Sequence, residues 1–247
     1  MRPYTSMPKL IVNADDFGRS SAINQGILEG HQKGIVTSAS LMTDRDALDE
    51  AVRMARENPQ LGIGLHLDLD AFFNVQHGTG RLVSYRDPSL PLNAIAQETE
   101  RQIQKIIATG LPIHHLDGHH HAHLRPELFA TIAALTAKYK IKVIRYFGGF
   151  YEGLYPGLSV DWIKDLAPRF GLTCVDTFFA GWEPVESSLP GYRYLDLNMP
   201  FQTAELMVHP GKGEPWREKE LTHCVSPSVR DELKKRQIDL VSFSQLC

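Results

Sequence analysis

Residues 111–129 read LPIHHLDGHHHAHLRPELF, and their order decides the fold. The apolar lead Leu111-Pro112-Ile113 predicts a strand. Pro126, followed by Glu127, Leu128 and Phe129, predicts a helix with proline at its first position, where a missing N–H is tolerated. The histidines between them fall on the connecting loop, the place where α/β folds carry their chemistry. Six of the eleven histidines lie within 114–123. A neutral imidazole is the commonest protein metal ligand, and beside a carboxylate, here Asp117, such a cluster supplies what a divalent-metal site needs. A solvated histidine tract is the alternative, and the strand–loop–helix placement argues against it.

The same alternation runs outward in both directions. Residues 9–14 (KLIVNA) form a continuous apolar run ending in Asp15-Asp16-Phe17-Gly18, the pattern of a buried parallel strand that delivers polar groups at its C-terminal end. Strand geometry sends neighbouring side chains to opposite faces, so Asp15 and Asp16 are expected to do different jobs. A helix is predicted over 20–32, a strand over 35–42, a helix over 47–57 and a strand over 61–65 that delivers His66. Residues 71–92 carry no period and read as a long loop lining or covering a site. A helix over 94–108 follows, with Ile95, Ile103, Ile106 and Ile107 as core contacts. Beyond the histidine cluster come a helix over 126–139, a strand over 142–144 with Arg145 at its exit, an aromatic, glycine-rich stretch at 147–157 that reads equally as a packed irregular loop or as a substrate-facing wall of Phe150, Tyr151 and Tyr155, a short helix over 161–169 and a strand over 172–179. Residues 205–208 (ELMV) lead into His209, and a helix over 226–236 and a strand over 238–243 close the chain. The pattern is α/β, a single-domain deformed (β/α) TIM-like barrel over residues 9–247, with residues 1–8 as a loose lead.

Composition bounds the function. A chain of 247 residues with 43% hydrophobic and 22% charged residues and a net charge of -3 has no basic excess for a phosphate backbone, so nucleic acid is not an expected partner. No apolar run reaches the ~20 residues of a membrane span, and residues 1–8 lack the apolar region of a signal peptide, so a cytoplasmic protein is expected. Cys174, Cys224 and Cys247 are odd in number, widely spaced and without a CxxC pair, which suits a reducing compartment; Cys174 is expected in a buried strand as a small hydrophobe. There is no G-x-S-x-G elbow, P-loop or G-x-G-x-x-G after a strand.

If all strands point their C-terminal ends to one rim, Asp16, His66, the histidines of 119–123 and His209 converge there. One carboxylate with two histidines leaves coordination positions open for water and substrate, as a catalytic metal requires. Asp15 could then take a proton from water and His209 protonate a leaving group, parts that suit hydrolysis of an amide or ester. Spacing alone does not choose between His119, His121 and His123.

The runs IVNADDFG at 11–18, Asn24-x-Gly26-Ile27, Gly34-x-Val36-Thr37-Ser38-x-Ser40-Leu41-Met42, Gly64-Leu65-His66-Leu67, His115-Leu116-Asp117-x-His119-x-His121-x-His123 and Glu205-Leu206-Met207-x-His209-Pro210-Gly211 together resemble the YdjC-like (ChbG-type) carbohydrate deacetylase family. The resemblance implies a deformed (β/α) barrel that removes acetyl groups from N-acetylated sugars with one divalent metal, often magnesium; two histidine ligands would also suit zinc. It further implies Asp16, His66 and His119 as metal ligands, Asp15 as base, His209 as the family's late histidine and Arg145 as a basic residue at the strand exit. His121, His123 and Asp117 are additional site candidates. Some members act on chitooligosaccharides and others in hopanoid or lipid-linked sugar pathways. Asp68 and Asp70 stand where a threonine is common and Gly118 where a serine is usual, departures that bear on substrate choice. A metal-dependent phosphoesterase and a non-catalytic sugar- or metal-binding relative are the competing readings, and the assembly, a homodimer among the options, is open.

Overall fold

The computed structural model describes residues 7–73, 75–76, 81–82, 91–146, 161–183 and 194–246. In chain order the first half runs β1 (Lys9–Phe17), α1 (Ser21–Lys33), β2 (Ser38–Leu41), α2 (Leu48–Glu57), β3 (Gly62–Leu67), a short antiparallel pair β4 (Val75–Gln76) and β5 (Arg81–Leu82), and α3 (Leu92–Ala108). The second half runs β6 (Ile113–Gly118), α4 (Pro126–Lys138), β7 (Val143–Ile144), α5 (Asp161–Leu166), β8 (Thr177–Phe179), β9 (Thr203–Val208), α6 (Pro215–Val225), α7 (Pro227–Lys235) and β10 (Asp239–Leu240).

β1 is the spine. It is buried from Leu10 to Phe17, because a parallel strand flanked by strands on both edges and helices outside meets apolar groups on both faces. β2 pairs with one edge and β9 with the other, and β10 joins the start of β1. The whole parallel sheet runs β7-β6-β3-β2-β1-β9-β8. Its two ends meet: Thr173, on the chain leading into β8, donates its N–H to the Lys142 carbonyl at 2.8 Å and accepts the Ile144 N–H at 3.1 Å. The sheet thus curls into a deformed (β/α) barrel with a loose seam, and its strands deliver their C-terminal ends to one rim.

Several expected boundaries move for local reasons. β2 begins only at Ser38, because the Ile35 N–H turns to the Cys224 carbonyl at 3.1 Å and that of Val36 to Gly30 at 3.2 Å. β3 runs through Leu67, so His66 stands on the strand rather than after it. His114, His115 and Asp117 likewise sit on β6 rather than on the loop. Only the last three residues of the strand expected over 172–179 pair regularly; Cys174 is half-buried ahead of them rather than inside a buried strand, and burial pushes its thiol up to about 12. Ile95, Ile103 and Ile106 enter the core, whereas Ile107, one helical step further round, is 40% exposed. The loop expected over 71–92 contains the β4–β5 pair and ends on the first residue of α3. The aromatic wall of Phe150, Tyr151 and Tyr155 lies outside the described residues. Among the described residues, no helix is long and apolar enough to cross a membrane.

Candidate metal centre

Three side chains from three strand ends meet at the rim. Asp16 Oδ1 lies 3.6 Å from His66 Nε2 and 3.2 Å from His119 Nδ1, and the two ring nitrogens are 3.2 Å apart. Donors held ~2.1 Å from a shared divalent cation sit about 3.0–3.4 Å from one another; the two separations to His119 fall in that range and the third is about 0.2 Å wider, so a small closing of His66 on Asp16 would seat a common ion. Asp16 Oδ1 is buried and accepts no hydrogen bond, a costly state for a carboxylate oxygen unless a cation takes the lone pair. The backbone supports the placement. Asp16 has φ +70°, in the left-handed region that a residue other than glycine adopts at a cost, and the register of β1 against β2 slips between Ala14 and Phe17. This bulge defeats the simple alternation of a strand: Asp15 and Asp16 both turn toward His66, at 4.0 and 3.6 Å from its Nε2, instead of pointing to opposite faces. Burial opposes charge on Asp16, yet His119, His66 and Arg217 outweigh it and hold the carboxyl well below its usual range.

Behind this trio lies a sealed polar network. His66 Nδ1 donates to Asp117 Oδ1 at 2.6 Å, which leaves Nε2, turned toward Asp16, as the nitrogen a cation would take, the arrangement of a carboxylate-oriented metal-binding histidine. Asp117 Oδ2 accepts from Ser40 Oγ at 2.6 Å and faces Arg145 Nη2 at 2.9 Å. Arg145, fully buried, is the hub: it grips Asp15 through both nitrogens, Nη1 to Oδ2 at 2.8 Å and Nη2 to Oδ1 at 2.6 Å, and donates from Nε to Glu205 Oε1 at 2.8 Å. A fork of this kind fixes a carboxylate's orientation as well as its place. Asp15 Oδ1 also accepts from Asn13 Nδ2 at 2.8 Å. Burial pushes Glu205 up to about 7 against the pull of Arg145, with Asp117 and Asp15 adding to the rise. The group Asp15, His66 and Asp117 also has metal-like spacing, but Arg145 already occupies both oxygens of Asp15, so it fits a cation poorly.

The residues after β6 separate the histidines that spacing could not. His120 and His121 have φ of 49° and 58°, so the turn His119–Leu124 is kinked and sends successive rings apart. His119 reaches Asp16 and His66, while His120 Nδ1 donates to Asp70 Oδ1 at 2.9 Å. His121 sits edge-on to Phe178 at 6.3 Å between centroids. His123 is buried with Nε2 at 3.2 Å from the Arg145 carbonyl, and burial lowers it to about 3, so it is a neutral prop for the Arg145 backbone. Neither His121 nor His123 belongs to a metal-like group among the described residues.

His209 follows β9. The backbone of this turn is pressed against α1: a Cβ at Gly26 would meet the Gly211 Cα at 2.4 Å, so only glycine permits the approach. Its backbone N–H donates to Glu220 Oε2, and its Nδ1 lies 3.9 Å from that oxygen. Burial lowers the His209 imidazole overall, while Glu220 foremost, then Asp15 and Asp16, pull the other way and favour its proton.

Glu220 and Arg217 stand on α6, which the sequence reading missed. Its sequence PWREKELTHCV has no apolar stripe, and only Arg217 and Cys224 are buried; the one available signal was Pro215 opening a run of good helix formers. Arg217 Nη2 pairs with Asp16 Oδ2, so one oxygen of Asp16 is held by a guanidinium and the other is left for the trio. Glu205 was visible in the sequence as a charge inside ELMV, a signal of burial with a partner.

A model of the YdjC-like protein family matches residues 9–235. A carbohydrate deacetylase of Vibrio cholerae is 31% identical over 261 residues, covering 96% of each chain. One from Brevibacillus brevis is 29% identical over 260 residues, covering 96% of this chain and 99% of that one. In fold the chain is similar to an Enterococcus faecalis protein provisionally described as a cellobiose-phosphate cleavage protein, with a TM-score of 0.76 and 22% identity over 98% of this chain and 100% of that one. Matched along nearly its whole length, the chain belongs to the YdjC-like protein family.

Proposed function

We propose that this protein is a carbohydrate N-deacetylase that hydrolyses the acetamido group of an N-acetylated sugar at a single divalent cation held by Asp16, His66 and His119. The observation that carries the reading is the unsatisfied Asp16 Oδ1 converging with two imidazole nitrogens beside a second, Arg-locked carboxylate. The likeness to relatives known as carbohydrate deacetylases supports the substrate class. When bound, the cation supplies Lewis-acid polarisation of the acetamide carbonyl and lowers the pKa of water from 15.7 to roughly 7. The resemblance points to magnesium; the two imidazoles also suit zinc.

The chain's own groups supply the proton transfers. Asp15 is the general base, and Oδ2 is the atom that takes the proton: it accepts one hydrogen bond, from Arg145 Nη1, and is the Asp15 oxygen that faces His66 at 4.0 Å. Oδ1 is filled by Arg145 and Asn13. Arg145 holds this carboxylate in place, so no ordering is left for the moment of reaction. His209, with Nδ1 toward Glu220, presents Nε2 to the leaving nitrogen and protonates it as the C–N bond breaks. Water's oxygen becomes part of acetate, its proton passes to Asp15, and the sugar leaves as the free amine.

A phosphoesterase would want two cations ~3.5–4 Å apart. The half-buried group Asp70, His119 and His120 shares His119, whose Nε2 is 3.8 Å from Asp70 Oδ2, and would set a second ion across the imidazole ring. Acetate assays on a panel of N-acetylated mono- and oligosaccharides and a lipid-linked sugar, with stripped protein reconstituted with magnesium, zinc, manganese or cobalt, test the reading. Metal-dependent acetate is expected; silence from folded, metal-loaded protein would overturn it.

A further inference from the structure

Trp216, near the start of α6, stands exposed beside this centre. It is 47% open to solvent, whereas the chain's other two tryptophans, Trp162 and Trp182, pack against the core. What sets it apart is its place: an amphipathic indole held in position beside a polar site offers an apolar surface to whatever enters that site.

Three contacts hold it. Nε1–H donates to Glu214 Oε2 at 2.9 Å. The Arg217 guanidinium lies over one face, 4.3 Å from the ring centroid, in cation–π geometry. The His209 ring is 5.6 Å away, centroid to centroid. One face is thus covered by a buried cation, while nearly half of the side chain stays open to solvent. Arg217 ties the platform to the centre, because its Nη2 is on Asp16 Oδ2; the indole is one residue removed from a proposed metal ligand and next to the proposed acid.

We propose that Trp216 is the platform on which a pyranose ring of the substrate stacks, and so sets which sugar unit is presented to His209 and the cation; this deepens the deacetylase reading of the same site and rests on it. A pyranose with equatorial hydroxyls offers a flat face of axial C–H groups, which meet the electron-rich face of an indole while the hydroxyls stay at its rim in water. The platform is rigid before the sugar arrives, so little ordering has to be done on binding.

The test uses the full-length, metal-loaded protein with N,N′-diacetylchitobiose as probe, reading intrinsic fluorescence, acetate release and metal content for wild type, Trp216→Phe and Trp216→Ala. Wild-type fluorescence is expected to change saturably with the sugar, at a midpoint matching KM. In Trp216→Phe the fluorescence change disappears while KM stays within about threefold, and in Trp216→Ala KM rises roughly five- to tenfold with the loss falling on KM rather than kcat. Metal content is expected to be retained in both. An unaltered KM in Trp216→Ala, or a fluorescence response that survives Trp216→Phe, would overturn the platform. A wild-type fluorescence change without acetate would leave the platform standing and overturn the deacetylase reading, whereas acetate without any change at Trp216 would do the reverse.

Discussion

His66 Nδ1 and Asp117 Oδ1 are joined at 2.6 Å, with both side chains sealed from solvent. The carboxylate fixes which nitrogen of His66 carries the proton and therefore which one is free at the rim. Asp117→Asn keeps the shape but weakens that control. Metal affinity, read by competition with a chelating dye, is expected to fall ~10–100-fold with the fold intact by circular dichroism. Unchanged affinity would show that Asp117 serves the network and not the cation.

Asp15→Asn tests the division of labour between adjacent carboxylates. Metal content should be retained, while kcat for acetate release falls by roughly 10²-fold or more. Loss of the metal instead would make Asp15 a ligand.

Proton competition gives a pH signature. Burial would depress His66, but Asp15, Asp117 and Asp16 outweigh it and raise the metal-free imidazole to about 9. A histidine raised in the folded state stabilises the metal-free protein below its unfolded pKa, ~6.5, and loses that contribution as pH rises through about 9. A cation must displace this proton. Apparent metal affinity is therefore expected to climb by roughly tenfold per pH unit between about 6.5 and 9 and then flatten, with about one proton released per metal bound in calorimetry at neutral pH. A flat profile across that window would contradict a protonated His66.

Glu205 acts in the same direction at lower pH. Its carboxyl is raised from 4.5 to about 7, so the native state favours the neutral form, and stability attached to it is present below ~4.5 and lost as pH rises through about 7. Glu205→Gln removes the titration while keeping an acceptor for Arg145 Nε. The Tm difference, variant minus wild type, is expected to grow more positive from pH 5 to pH 8.5. A difference independent of pH would mean that Glu205 stays charged throughout.

How far the sequence could be read depended on where the physics was local. The strand ending in Asp15 and Asp16, and the strand–turn–helix around the histidines, follow from apolar runs and a proline at a helix start, and the structure has both. The sense of Asp16 was not legible, because a bulge and a positive φ are set by neighbouring strands and not by the residue itself. The separation of His119 from His121 and His123 needed the left-handed residues at His120 and His121, which no spacing rule anticipates. Helix α6 was missed because its buried face is a single arginine and a cysteine, and with it went Arg217, Glu220 and Trp216. Glu205 and Arg145 were visible singly, but their meeting depends on β7 and β9 facing each other across the barrel.

Metal content and acetate release, measured on the same preparations of wild type, His66→Ala and His119→Ala, test the centre most directly. About one divalent cation per wild-type chain, with both metal and acetate release lost together in each variant while circular dichroism stays native, is the predicted result. Full metal content and undiminished acetate release in either variant would contradict a centre built on Asp16, His66 and His119.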